Sequence, residues 1–201
     1  DNAADVLKVS PAFLEQYLSA ARQVSIDAVG NPRARSQSVF YTGSPNANHY
    51  MHHEGLPLGT RGGMIIEHYF PADGEYEFTI NGLVGAGYLW GVMDPYTLII
   101  TIDDERVFEE KLGGEDDLEA VDVEQAAGVA RINDRFRNIR RPVKAGLHKV
   151  GITFRAKTAA ESDEPLHLFV PVAGVGLHVN GNSDGPRISN VEIKGPLSTQ
   201  G

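Results

Sequence analysis

The chain has 201 residues, a net charge of -9 and no cysteine, with 22 glycines and 11 prolines spread along it. The negative balance argues against nucleic acid, whose phosphates it would repel, and suits a neutral glycan or a cation. The missing cysteines exclude a thiol nucleophile, a zinc-thiolate site, any disulfide and the CxxCH haem attachment, and no apolar run approaches the ~20 residues needed to span a bilayer.

A helix opens the chain. Ser10 is an N-cap and Pro11 stands at the first helical position. Phe13, Leu14, Tyr17, Leu18, Ala21 and Val24 recur at helical spacing, and Gly30 followed by Asn31-Pro32 ends the run. Residues 33–63 read as irregular. From Met64 the period changes to two, with strands expected at 64–70 and 75–82 about the turn Pro71-Ala72-Asp73-Gly74. Further strands are expected at 97–103 and 106–112 about the tight turn Asp103-Asp104. An acidic stretch from Asp103 to Glu124 precedes a basic one from Arg131 to Lys144. Part of 116–134 carries helical spacing, and the whole excursion reads as solvated and partly self-neutralising. Strands at 136–143, 148–156, 164–172 and 187–195 complete the set. About eight short strands behind one helix define an all-β chain of the sandwich class.

Four segments carry a resemblance: HHEGLPLGTRGGMIIEHYFPADGEYEF, LIITIDDERVF, RRPVKAGLHKVGITF and ISNVEIKGP. Together they resemble a middle segment of the large exported c-type cytochrome proteins of planctomycetes and related bacteria. That segment is in turn similar to calcium-dependent, xylan-binding carbohydrate-binding modules. The resemblance implies a jelly-roll, galactose-binding-like β-sandwich and a periplasmic or extracellular location. It also implies polysaccharide and Ca²⁺ as ligands, with any haem outside this chain. Residues 1–35 then read as the end of a preceding domain and 36–201 as the sandwich. A start at Asp1 rather than Met fits a processed product or a piece of a longer protein.

Two insertions, VGAGYLWGVMDPY and GVGLHVNGNSDGP, lie where loops belong and hold the candidate sites. In the first, Tyr88, Trp90 and Tyr96 offer flat rings for the apolar faces of a sugar, and Asp94 offers a polar group for its hydroxyls. Packing of Trp90 into the core is the equal alternative. Arg61, in the glycine-rich run from Gly55 to Gly63, either meets a ligand or pairs with a carboxylate inside the domain; the run lacks the ending of a phosphate-binding loop. In the second insertion, Asn180, Asn182 and Asp184 alternate with glycines. They could present hard oxygens to Ca²⁺, joined by Glu192 or Asn190 from the last strand; a polar hairpin uses the same residues. His49, His52, His53 and Glu54 are close enough to suggest a metal, but their spacing is not that of a helical site, and a hydrogen-bonded surface cluster fits better.

No nucleophile elbow and no distinct carboxylate pair mark an enzyme. The expectation is a non-catalytic carbohydrate-binding module, calcium-assisted, that attaches a larger exported redox protein to polysaccharide. The rival is a docking domain that orients neighbouring domains through the early helix, in which case an apolar helix face stands exposed. A hydrolase is a third reading and needs a deep cleft with opposed carboxylates.

Overall fold

The computed structural model describes residues 10–31, 33–43, 52–84, 90–156 and 186–199. Among these, α1 (Pro11–Val29) is followed by β1 (Gln37–Thr42), β2 (Arg61–Phe70) and β3 (Gly74–Asn81). Then come the short α2 (Trp90–Met93), β4 (Tyr96–Ile102), β5 (Glu105–Leu112), α3 (Glu115–Glu124) and α4 (Ala126–Asp134). β6 (Ile139–Val143), β7 (Gly146–Ala156) and β8 (Asn190–Thr199) close the chain.

The strands form two four-stranded antiparallel sheets, ordered β1-β8-β3-β6 and β2-β7-β4-β5. Counted over the described strands, each early strand lies beside its late counterpart: first with eighth, second with seventh, third with sixth, fourth with fifth. The period-two patterning explains why two sheets form. Tyr76, Phe78 and Ile80 on β3 and Val191 and Ile193 on β8 point to one side. Ile66 and Phe70 on β2, Leu98 and Ile100 on β4, and Ile152 and Phe154 on β7 face them from the second sheet, in one continuous core. Full burial of such a side chain contributes about 1.5–3 kcal/mol, so the mutual coverage of the two faces drives the arrangement. A β-sandwich-like body is the result.

Seven of the expected strands fall on β2–β8; the one expected at 164–172 lies outside the described residues. β1 sits in a stretch that reads as irregular. It is an edge strand, exposed along most of its length, so it has no buried alternation to betray it. Its place comes from its ladder with β8 and from Tyr41, whose hydroxyl bonds His68 Nδ1 on β2 at 2.7 Å.

The helix at the N-terminus forms as the sequence dictates. The Ser10 Oγ accepts from the Phe13 N–H at 3.2 Å, and Gly30, at φ +80°, donates to the Ile26 carbonyl. It is not the only helix. α3 and α4 fill the connection between β5 and β6, and Val121 and Ile132 extend the core from them. They also gather the two opposite charge runs: Arg135 pairs with Asp117, and Arg131 with Glu124.

α1 itself buries nothing of its apolar stripe among the described residues. Phe13, Leu14, Tyr17, Leu18 and Val24 are all exposed. The two sheets already close over each other, and α1 is tied to them at its C-terminal end. There Gly30 bridges Ala72, and the Asn31 N–H donates to the Pro71 carbonyl at 2.6 Å.

Candidate functional site

The strands alternate in direction, so their connections alternate between two poles. At one pole the connections are short: 71–73, 103–104 and 144–145. At the other they are long: 43–60, 82–95, 113–138 and 157–189. Long connections on a rigid sheet scaffold are where binding residues concentrate.

The short pole is stapled by carboxylates. Asp73 accepts from Lys144 Nζ at 2.7 Å and from the Ala145 N–H at 2.8 Å. Its carboxyl is held below the ordinary range by the Lys144 side chain first and the Ala145 amide second. Asp103 accepts from the Lys149 N–H and bonds His148 Nδ1, and these two contacts, the histidine foremost, lower its pKa as well.

The long pole is built around the start of β4. Asp94-Pro95 lead into Tyr96, and the end of β5 packs against them through Gly113. A Cβ on Gly113 would stand 2.3 Å from the Asp94 carbonyl oxygen, and its φ of +82° also favours glycine. The Gly114 N–H donates to the Val92 carbonyl at 2.9 Å, which ties α2 to the same point. The Gly113 N–H donates to Asp117 Oδ2 at 2.7 Å, and Arg135 holds that carboxylate from α4's end. Asn133 on α4 donates to the Val84 carbonyl at 2.9 Å, which fixes the end of the β3 connection.

Between these anchors lies a cavity of about 310 Å³ lined by Pro95, Tyr96, Thr97, Lys111, Gly113, Arg155 and Ala156. This is the lower end of the size range of small-ligand sites. Tyr96 stands opposite Leu112 on β5 and Ala156 on β7, and it is half-buried and packed against the core. Its ring therefore has a structural task beside any contact with a ligand.

Of the residues expected to hold a sugar, Tyr96 lines the cavity and Asp94 stands two residues before it, at its edge. Trp90 opens α2 at the same pole. Arg61 begins β2 there too, since Arg61 and Leu98 flank Phe154 from opposite sides. Its backbone carbonyl accepts from Thr153 Oγ1 at 3.3 Å. Tyr88, Asn180, Asn182 and Asp184 lie outside the described residues. Glu192 sits on β8 in the other sheet, half-buried between Phe40 and Thr79. It is near the start of that strand and so near the long pole.

Among the described residues no cluster of three or more His, Cys, Asp or Glu side chains is placed to hold a metal. The histidine run is divided: His49 lies outside the described residues, and His52 Nδ1 is 3.3 Å from the Thr60 carbonyl oxygen. The glycine-rich run ends inside β2, where Gly63 lies against β7. A Cβ there would stand 1.9 Å from the Ile152 carbonyl oxygen, so Gly63 serves strand contact.

Sequence reading overlooked Thr97, Lys111 and Arg155. Alternation marks each as outward-facing, but only the register brings them together: Thr97 is paired with Lys111 on one side and Arg155 on the other. No family model, curated protein or solved structure matches this chain.

Proposed function

We propose that this chain is a non-catalytic carbohydrate-binding module of jelly-roll, galactose-binding-like type. In this reading it attaches a larger exported redox protein to polysaccharide, in the periplasm or outside the cell. The observation that carries the reading is the cavity at the long pole, with Tyr96 in its wall and Trp90, Asp94 and Arg61 at the same pole. The pairing of first with eighth, second with seventh, third with sixth and fourth with fifth strand supports the jelly-roll assignment. The resemblance of the four segments to xylan-binding modules of exported cytochrome proteins supports the ligand class and the location.

In the same reading Ca²⁺ is held by Asn180, Asn182 and Asp184 on the connection between β7 and β8. Glu192, on the strand that the connection enters, adds a carboxylate. These are hard oxygen donors of the kind Ca²⁺ takes. Isothermal titration against xylan, cellulose and algal oligosaccharides, with and without EDTA, tests both parts. Saturable binding that weakens in EDTA is expected. Binding that ignores EDTA removes calcium from the reading, and no binding to any glycan in either condition overturns the module itself.

A docking domain is the second reading, and one observation favours it. The apolar stripe of α1 is exposed, with Phe13 63% and Tyr17 72% accessible. A neighbouring domain of the same polypeptide is the partner it suits. The two readings are compatible in space, because α1 joins the body at the short pole, through Gly30 and Ala72, away from the cavity.

A further inference from the structure

Lys111, Thr97 and Arg155 form one row across β5, β4 and β7. Residues opposite one another on antiparallel strands point to the same face. Strands lie ~4.8 Å apart, so the two cations stand about 10 Å apart at the backbone with a hydroxyl between them. All three line the cavity.

Neither Lys111 nor Arg155 forms an ion pair among the described residues, whereas most other described basic side chains of the sandwich do. The carboxylate two positions back on the same face, Glu109, is taken by Arg106. Glu110 turns its carboxylate to the Lys111 backbone N–H at 3.0 Å. The protein is acidic overall, at -9, yet this cavity presents two exposed cations. The register sets the two cations on either side of one threonine.

We infer that the cavity binds an anionic saccharide, with a carboxylate or sulfate ester seated between Lys111 and Arg155. The Arg155 guanidinium offers a planar fork of donors to two oxygens of the group. Lys111 Nζ approaches from the other side, and Thr97 Oγ1 donates from the strand between them. Pro95 and Ala156, also in the lining, leave an apolar edge for the sugar ring. This rests on the saccharide-binding reading above and changes one expectation drawn from composition: the net charge suits a neutral glycan, whereas the cavity suits an acidic one.

The test is titration of the whole chain with three sets of glycans: uronate-bearing (oligogalacturonate, alginate oligomers), sulfated (chondroitin sulfate, carrageenan oligomers) and neutral (xylo- and cello-oligosaccharides). An acidic set is expected to bind at least tenfold tighter than the neutral set, and the preferred set identifies the anionic group. Lys111→Gln and Arg155→Gln each weaken that binding about tenfold, the scale of one charge-assisted hydrogen bond. Lys194→Gln, an equal change of charge on the other sheet, leaves it unchanged. Raising salt weakens acidic binding and not neutral binding. Both cavity residues are exposed, so thermal melts of the variants are expected to match the parent and show that folding is intact. If neutral glycans bind as tightly as acidic ones and the two variants change nothing, the anionic assignment is overturned while the module reading stands. If no glycan of any set binds, both fall.

Discussion

His68 shows how a single side chain sets a condition on the fold. It lies on the inner face of β2, 6% exposed, with its ring edge-on to Phe70 and its Nδ1 bonded to Tyr41. Burial lowers its pKa below 6.5. The folded protein therefore keeps the ring neutral at a pH where the unfolded chain takes up a proton. The sign follows: the contribution is complete above pH 6.5 and is lost as pH falls through the folded value. Asp73 and Asp103, also lowered, enter the same way but only below 3.8. Urea unfolding at pH 8 and pH 5 is expected to show a less stable protein at pH 5, and His68→Gln narrows that difference. Equal narrowing from an exposed substitution, or no difference to narrow, would remove His68 as the cause. Little of this is legible in the sequence. His68 reads as one position in an alternating strand, and Tyr41 lies in a stretch with no strand signal.

At the scale of elements, α1 stands outside the core, whereas α2, α3 and α4 each give it a buried residue: Val92, Val121 and Ile132. Leu18 on α1 is half exposed, so Leu18→Glu is expected to shift unfolding free energy by no more than about 0.5 kcal/mol. Asp117 on α3 is 7% exposed and joins the Gly113 amide to Arg135. Asp117→Ala leaves both partners unanswered and is expected to cost about 1–3 kcal/mol in the same urea experiment. A large loss from Leu18→Glu would mean that α1 packs on the body after all. Sequence foresees α1 down to its cap, because capping and periodicity are local. It foresees seven strands for the same reason. It misses β1, which has few buried positions, and it cannot say that a well-formed amphipathic helix lacks a partner within the described chain. Register is equally out of reach, which is why Lys111 and Arg155 look like ordinary outward residues until β4 sets them on either side of Thr97.

For the molecule as a whole, the division into a short pole and a long pole matters most. The lengths of the connections are visible in the sequence as gaps between strand patterns. That the long gaps fall on one side follows only once the strands are known to alternate, and β1 has to be found first. The same topology sets how the body responds to load. β1 begins and β8 ends at the short pole, side by side in one antiparallel ladder, with Gln37 opposite Gly195. Tension applied through the chain before Gln37 and after Thr199 does not shear this ladder along its length. It opens it like a zipper, one rung at a time, from an edge strand that is exposed at almost every position. Single-molecule pulling between those points is expected to give a first, low-force step in which β1 peels from β8, ahead of rupture of the rest; a single all-or-none event would refute it. The sheet β2-β7-β4-β5, which carries the cavity, is not in the direct line of that first step. If the proposed reading holds, a module gripping polysaccharide through its long pole would then yield at the tether, lengthen, and keep its grip.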